Sequence, residues 1–329
     1  MSKHNRKSKK KLLKESLRLP ALAIENNTSR RNALYILDRF ATYSYDNGIR
    51  EKSEIDMGFI NQYSKYLQGQ NYTASTIHTY LVFVCKSCGV KLDLIDKPIR
   101  RTSEYTKGRE AKEEPRSDMD PNNPRWEKVW EISRATGLRR EELRKLRVGD
   151  FKINGGLGND SEYDQIYVRR GKGGKSGLFN IVYENEEQKF KVREYFNLFG
   201  GALGKTPDDY VFDSEDFKHS LNLHKNRRDV AKRNYYHYLH RCNTEPGYRE
   251  KLLEECKQKY RESKGLPENA KVPEKFYNGR YYLRGKNREY ALKSNLPLSY
   301  DKLCVLAVSL NVLAHSRCDV SIVSYIAVL

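Results

Sequence analysis

The stretch that most limits what this chain can fold into lies near its middle. Residues 99–124, "IRRTSEYTKGREAKEEPRSDMDPNNP", are dense in charge, almost without apolar side chains, and end in proline-rich turn chemistry. A segment of that composition has too little apolar surface to join a core, so it reads as a linker. It divides 329 residues into two parts, each long enough to bury a core of its own. Two lobes joined so loosely can move relative to one another.

Ahead of the linker, from "TSRRNALYILDRFATYSYDNGI" to "STIHTYLVFVCKSCGVKLDLI", apolar residues recur every three or four positions. Leu34, Leu37, Phe40 and Tyr43 make one stripe, and Ile77, Tyr80, Val84 and Ser87 mark another face. Thr28 or Ser29 suits the N-cap of the first helix, and Asn47-Gly48 suits its stop. Residues 23–108 are therefore expected to form a small all-helical domain, preceded over 1–22 by a basic tail and followed over 109–124 by the linker proper. Beyond it, residues 125–329 form a second domain. "RWEKVWEISRATGLRREELRKLRVGDF" returns to helical periodicity, and "DQIYVRRGKGGKSGLFNIVY" sets two strand-like runs about a Gly- and Lys-rich turn, the pattern of a β-hairpin. From about residue 185 the chain is helical again. The expected fold class is mainly α with a small β-hairpin or sheet, without internal repeats.

Lys and Arg number 62 against 43 acids, for a formal net charge of +19. A surface that positive attracts polyanions, of which the nucleic-acid backbone is the commonest. Membrane binding would need a basic amphipathic helix with bulky apolar residues opposite, and "KKKLLKESLRL" is short for one. No run of about eighteen apolar residues is present and the basic N-terminus has no apolar core, so neither a membrane span nor a secretory signal is expected; the expected location is the cytoplasm. Cys85 and Cys88 form one CxxC with no second pair at zinc spacing, while Cys242, Cys256, Cys304 and Cys318 are scattered. They read as helix-borne thiols ahead of metal ligands.

Four short motifs carry chemistry. In "ATGLRREELRKLRVGDF", Gly137 allows a bend that sets Arg139 at a helix start, and Glu142, three residues on, can brace its guanidinium for bidentate phosphate contact. "RRGKGGKSG" lacks the spacing of a nucleotide-binding P-loop, but a lysine on a β-turn tip can swing into a groove and donate a proton to a leaving oxygen. "NGRYYLRGKNREYAL" places Arg284 three residues after Tyr281 at another helix entry. "LAHSRCDVSIVSYIAVL" places His315 on a turn ahead of Tyr325.

Taken in order, "TGLRREEL", the "GKGGK" hairpin, "YYLR", and "HSR" with a late tyrosine resemble the tyrosine recombinases, or phage-integrase family, from about residue 125 to the end. The resemblance implies a helical core-binding domain over 23–108 and an α+β catalytic domain over 125–329. It implies that Arg139 and Arg284 clamp the scissile phosphate, that Glu142 supports Arg139, and that His315 hydrogen-bonds the phosphate. Lys172, with Lys175 as the alternative, protonates the leaving 5′-hydroxyl. Tyr325 is the nucleophile and forms a 3′-phosphotyrosyl link that keeps the bond energy until a second DNA end attacks. Neither metal nor cofactor is implied. The implied partners are double-stranded DNA with inverted-repeat sites, a homotetramer assembled there from free monomers or dimers, and an accessory DNA-bending factor. The implied setting is integration or excision of a mobile element in a bacterial or viral host cytoplasm. A DNA-relaxing or resolving enzyme with the same chemistry, and a catalytically degenerate DNA-binding protein, are the rival readings.

The chain departs from the family pattern in several places. The second box is usually His-x-x-Arg, whereas Tyr281 stands in the histidine's place and is a poorer base near neutral pH. "YLHR", Tyr238 to Arg241, has the same spacing but is set aside in favour of the helix entry at Arg284. Tyr325 lies one residue beyond the usual distance from His315, so Ser324 fills the usual slot. Extra residues over about 215–275 are read as added DNA contacts. Four residues after Tyr325 are too few for the helix by which many relatives dock on a neighbour, so subunit coupling is expected to use another surface.

Overall fold

Leu13, Leu17 and Ala21 stand four residues apart, so on a helix they share one face. In the computed structural model, which describes residues 3–101, 124–156, 161–169, 176–218, 221–314 and 317–327, they do so. Helix α1 (Lys3–Leu22) buries all three against α2 (Asn27–Asp46) and α4 (Ala74–Cys88). Residues 1–22, expected as a basic tail, therefore carry a packed helix. The lysines weigh on composition, but an i, i+4 apolar stripe decides packing.

With α3 (Met57–Gly69) these helices make the first of two units, Met1–Arg101. Phe40, Ile60, Leu81 and Val84 fill its core. The N-cap of α2 is Asn26, whose side chain accepts from the Ser29 N–H at 2.9 Å, and not Thr28 or Ser29. The helix stops at Asn47-Gly48 as expected, with Gly48 at φ +94°. Cys85 and Cys88 lie on α4, the first buried and the second half-buried, and burial pushes both thiols up to about 11. No group of potential metal ligands gathers among the described residues. Residues 102–123, which hold most of the linker, lie outside the described residues.

The second unit, Thr102–Leu329, opens with α5 (Pro124–Thr136) and the short α6 (Arg140–Leu143). Strands β1 (Phe151–Lys152), β2 (Asp164–Val168) and β3 (Gly177–Ile181) follow as an antiparallel sheet in the order β1-β2-β3. The expected hairpin is β2–β3, with Asp164 opposite Ile181 and Val168 opposite Gly177. Arg193 anchors its base, donating to the buried Asp164 carboxylate at 2.7 and 2.8 Å. Arg169, just before the turn, donates to the buried Asp150 at 2.8 Å.

Helices α7 (Glu186–Gly200), α8 (Leu223–Thr244), α9 (Tyr248–Lys264), α10 (Lys286–Lys293), α11 (Lys302–Asn311) and α12 (Cys318–Ser321) complete the unit, α12 running into a π-helical turn, Ile322–Ile326. Two three-residue strands, β4 (Arg280–Tyr282) and β5 (Ser299–Asp301), pair antiparallel. One apolar cluster lies under the first sheet, with Ile132, Leu143, Ile166 and Phe196; another surrounds α11, with Tyr238, Leu252, Leu306 and Ile322. Helix α8 spans both, Leu223 in the first and Val230 to Tyr238 in the second. Part of the region 215–275, expected as added DNA contacts, is thus the central helix of the unit and its α9 neighbour. No helix among the described residues is long and apolar enough to cross a membrane.

Candidate active site

The chain leaves α5 through a left-handed turn that favours glycine. Gly137 takes φ +65°, and a Cβ there would stand 3.1 Å from the Cβ of Val230 on α8. That close approach sets Arg139 at the N-cap of α6. The Arg139 backbone N–H donates to Glu142 Oε2 at 2.8 Å, and its Nη1 donates to Glu142 Oε1 at 2.6 Å. The brace expected from the three-residue spacing is therefore formed.

A third group meets this pair. Arg227, one turn into α8, is 1% exposed, the largest fully buried side chain among the described residues. Its Nη1 donates to the Gly137 carbonyl at 2.6 Å and lies 3.6 Å from Glu142 Oε2; its Nη2 donates to the Leu313 carbonyl at 2.9 Å. Its Nε has no hydrogen-bond partner among the described residues. The guanidinium stands 5.7 Å from the centre of the Tyr325 ring. Burial, and then the charge of Arg139, push the Arg227 pKa down, while Glu142 and Tyr325 oppose the shift. Burial likewise raises the Glu142 pKa, but Arg227 and Arg139 outweigh it and hold the carboxyl below its ordinary value. Two cations on one carboxylate leave the cluster with an excess positive charge and an unused donor, the make-up of an anion site.

Tyr325 is partly buried in the π-helical turn at the end of α12. A hydrogen bond of 2.6 Å between Ser309 and Ser321 pins α12 to α11. Between these helices Ala314 takes φ +51°, a left-handed conformation that an alanine adopts only at a cost.

Arg139, Glu142 and Tyr325 thus gather around Arg227. Among the described residues no hydrogen bond or ion pair links Tyr281 or Arg284 to Arg139 or Glu142. Tyr281 and Arg284 line another cleft with Arg280, Tyr282, Asn287 and Lys302, where burial raises the Tyr281 pKa. Lys172, Lys175 and His315 lie outside the described residues. Arg227 is the member of this cluster that the sequence motifs did not single out. The signal was present, since His224-Lys225-Asn226-Arg227 has the His-x-x-Arg spacing sought at Tyr281–Arg284, with His224 exposed in the first turn of α8.

No protein-family model and no curated protein matches the chain. Among solved structures it is similar to a crystal structure of XerA recombinase, at 16% identity over 67% of this chain and 82% of that chain, with a TM-score of 0.24. A likeness that loose assigns neither a fold nor an activity.

Proposed function

We propose that this chain is a DNA strand transferase of the tyrosine-recombinase kind, in which Tyr325 attacks a phosphodiester clamped by Arg139 and Arg227. The observation that supports it is the convergence on one buried guanidinium of two stretches remote from it in sequence: the Gly137 turn with Glu142, and the C-terminal stretch with Leu313 and Tyr325. In this reading Arg227 takes the role that sequence analysis gave to Arg284, and His224 the place it gave to Tyr281.

The chemistry follows from charge. A phosphodiester under attack gathers negative charge on its non-bridging oxygens, and preorganised guanidinium donors stabilise that charge most in a water-poor site. Glu142 relieves the repulsion between the two arginines and fixes their orientation. The Tyr325 Oη–P bond forms, its phenolic proton passing to water, as the P–O5′ bond breaks, and Lys172 of the hairpin supplies the proton for the leaving oxygen. Attack by a second 5′-hydroxyl reverses the step and frees the tyrosine. Because Arg227 is covered in the structure, the Tyr325 ring has to move off the guanidinium before a phosphate can take its place. A π-helical turn is a weak element, suited to such movement.

Double-stranded DNA is the proposed substrate, and the +19 charge supports it. Inverted-repeat sites and a tetramer are part of the same proposal. The test is a pool of nicked duplexes in chelator, where release of a short 5′ fragment traps any covalent adduct. Wild type should give a detergent-resistant protein–DNA band that Tyr325→Phe lacks. Tight DNA binding by wild type without that band overturns the reading.

A further inference from the structure

A cavity of about 430 Å³ opens between α9, the turn Glu274–Phe276, α11 and α12. Its aromatic side is made by Tyr260, Phe276 and Tyr281, and the Tyr260 and Phe276 ring centres are 5.5 Å apart. Lysines stand around it. Lys264 Nζ lies 5.9 Å from the Tyr260 ring centre, Lys275 Nζ lies 5.4 Å from that of Phe276, and Lys302 lines the wall. Among the described residues no carboxylate pairs with any of the three. The lining carboxylate, Asp319, already pairs with Arg317 at 2.9 Å.

A second compartment of about 350 Å³ shares Tyr281 and Lys302 with the first. It adds Arg280, Arg284 and the exposed ring of Tyr282. None of these groups belongs to the Arg139–Arg227–Tyr325 cluster.

We propose that these two adjoining compartments, which share Tyr281 and Lys302, bind an unpaired DNA strand. One base stacks against Tyr260, Phe276 and Tyr281, and the adjoining phosphates sit on Lys302 and Arg284. Aromatic faces interleaved with cations match a planar base tethered to an anion, which is how sequence-tolerant single-strand sites are built. A duplex keeps its bases stacked inside and cannot reach the aromatic side. An acidic peptide would satisfy the lysines and leave the rings unmatched.

The test uses the full chain and a short oligodeoxynucleotide carrying 5-iododeoxyuridine. Photo-crosslinks should map to Tyr260, Phe276, Tyr281 or Tyr282; crosslinks confined to other surfaces overturn the proposal. Lys264→Glu with Lys275→Glu, both exposed positions, should weaken single-strand binding about tenfold or more while duplex binding changes far less. Equal losses for both forms would show general electrostatics and overturn it. Phe276→Leu, which keeps the site apolar, should also weaken the single strand, and an unchanged affinity counts against stacking. If polyglutamate of matched length binds the chain, Lys264→Glu with Lys275→Glu abolishes that binding, and the oligonucleotide gives no crosslink in the cleft, the occupant is an acidic protein and the proposal is overturned. Crosslinking needs no cleavage, so its outcome is read separately from that of Tyr325.

Discussion

Replacing Glu142 by glutamine removes the acid that two arginines share while keeping its size and one amide oxygen as an acceptor. Arg227 Nη1 stands 3.6 Å from Glu142 Oε2, and at an effective dielectric of about 20 that separation corresponds to about 4–5 kcal/mol of attraction. Both groups are already desolvated by the fold, with side-chain exposures of 1% and 4%, so the mutation leaves a buried cation uncompensated and also facing Arg139. The expected loss is about 3–5 kcal/mol of stability in the second unit, the range for breaking a buried pair. The two tryptophans of the chain, Trp126 and Trp130, both lie on α5, so urea unfolding followed by their fluorescence reports that unit alone. The pH dependence has a definite sign. The folded Glu142 pKa lies below its ordinary 4.5, so its contribution is fully present above that value and is lost as pH falls through the lower folded pKa. Glu142→Gln should remove that part of the acid sensitivity. A loss below about 1 kcal/mol, the size of an exposed ion pair, would refute the claim that Glu142 holds Arg227 in place.

Other outcomes follow from the same geometry. Arg227→Lys keeps a charge but loses the planar fork, and should cut adduct formation by about 10²-fold or more while DNA binding persists, whereas Arg284→Ala should lower adduct yield on a nicked duplex far less; denaturant curves check that both variants fold. Gly137→Ala forces a side chain into φ +65° and against Val230, so a loss of about 2–4 kcal/mol is expected in the tryptophan-monitored transition. Leu17→Ala should cost the first unit about 2–5 kcal/mol by circular dichroism, and a loss under about 1 kcal/mol would mean α1 is not part of that core.

What the sequence made legible was local. The Arg139–Glu142 brace, the β2–β3 hairpin and the stop at Gly48 each rest on residues a few positions apart, where spacing alone dictates geometry. Arg227 was hidden because it breaks the usual expectation that arginine is exposed. It sits in "LHKNRRDVAKR", where surrounding cations make the whole stretch read as a solvated face, and its three partners lie at Gly137, Glu142 and Leu313. Burial of a charge is set by tertiary partners, which no local periodicity encodes. Helix α1 was missed for the converse reason, since its lysines outweighed three apolar residues at the right interval. Strands β4 and β5 are three residues each, too short for alternation to register.

The most direct measurement is to find which atom carries the DNA. A trapped adduct digested with nuclease and trypsin should release a fragment beginning at Cys318, because Arg317 precedes it, and fragmentation locates the nucleotide mass. That mass is expected on Tyr325. Its appearance on Ser324, or strand cleavage with Tyr325 unmodified, would contradict Tyr325 as the nucleophile.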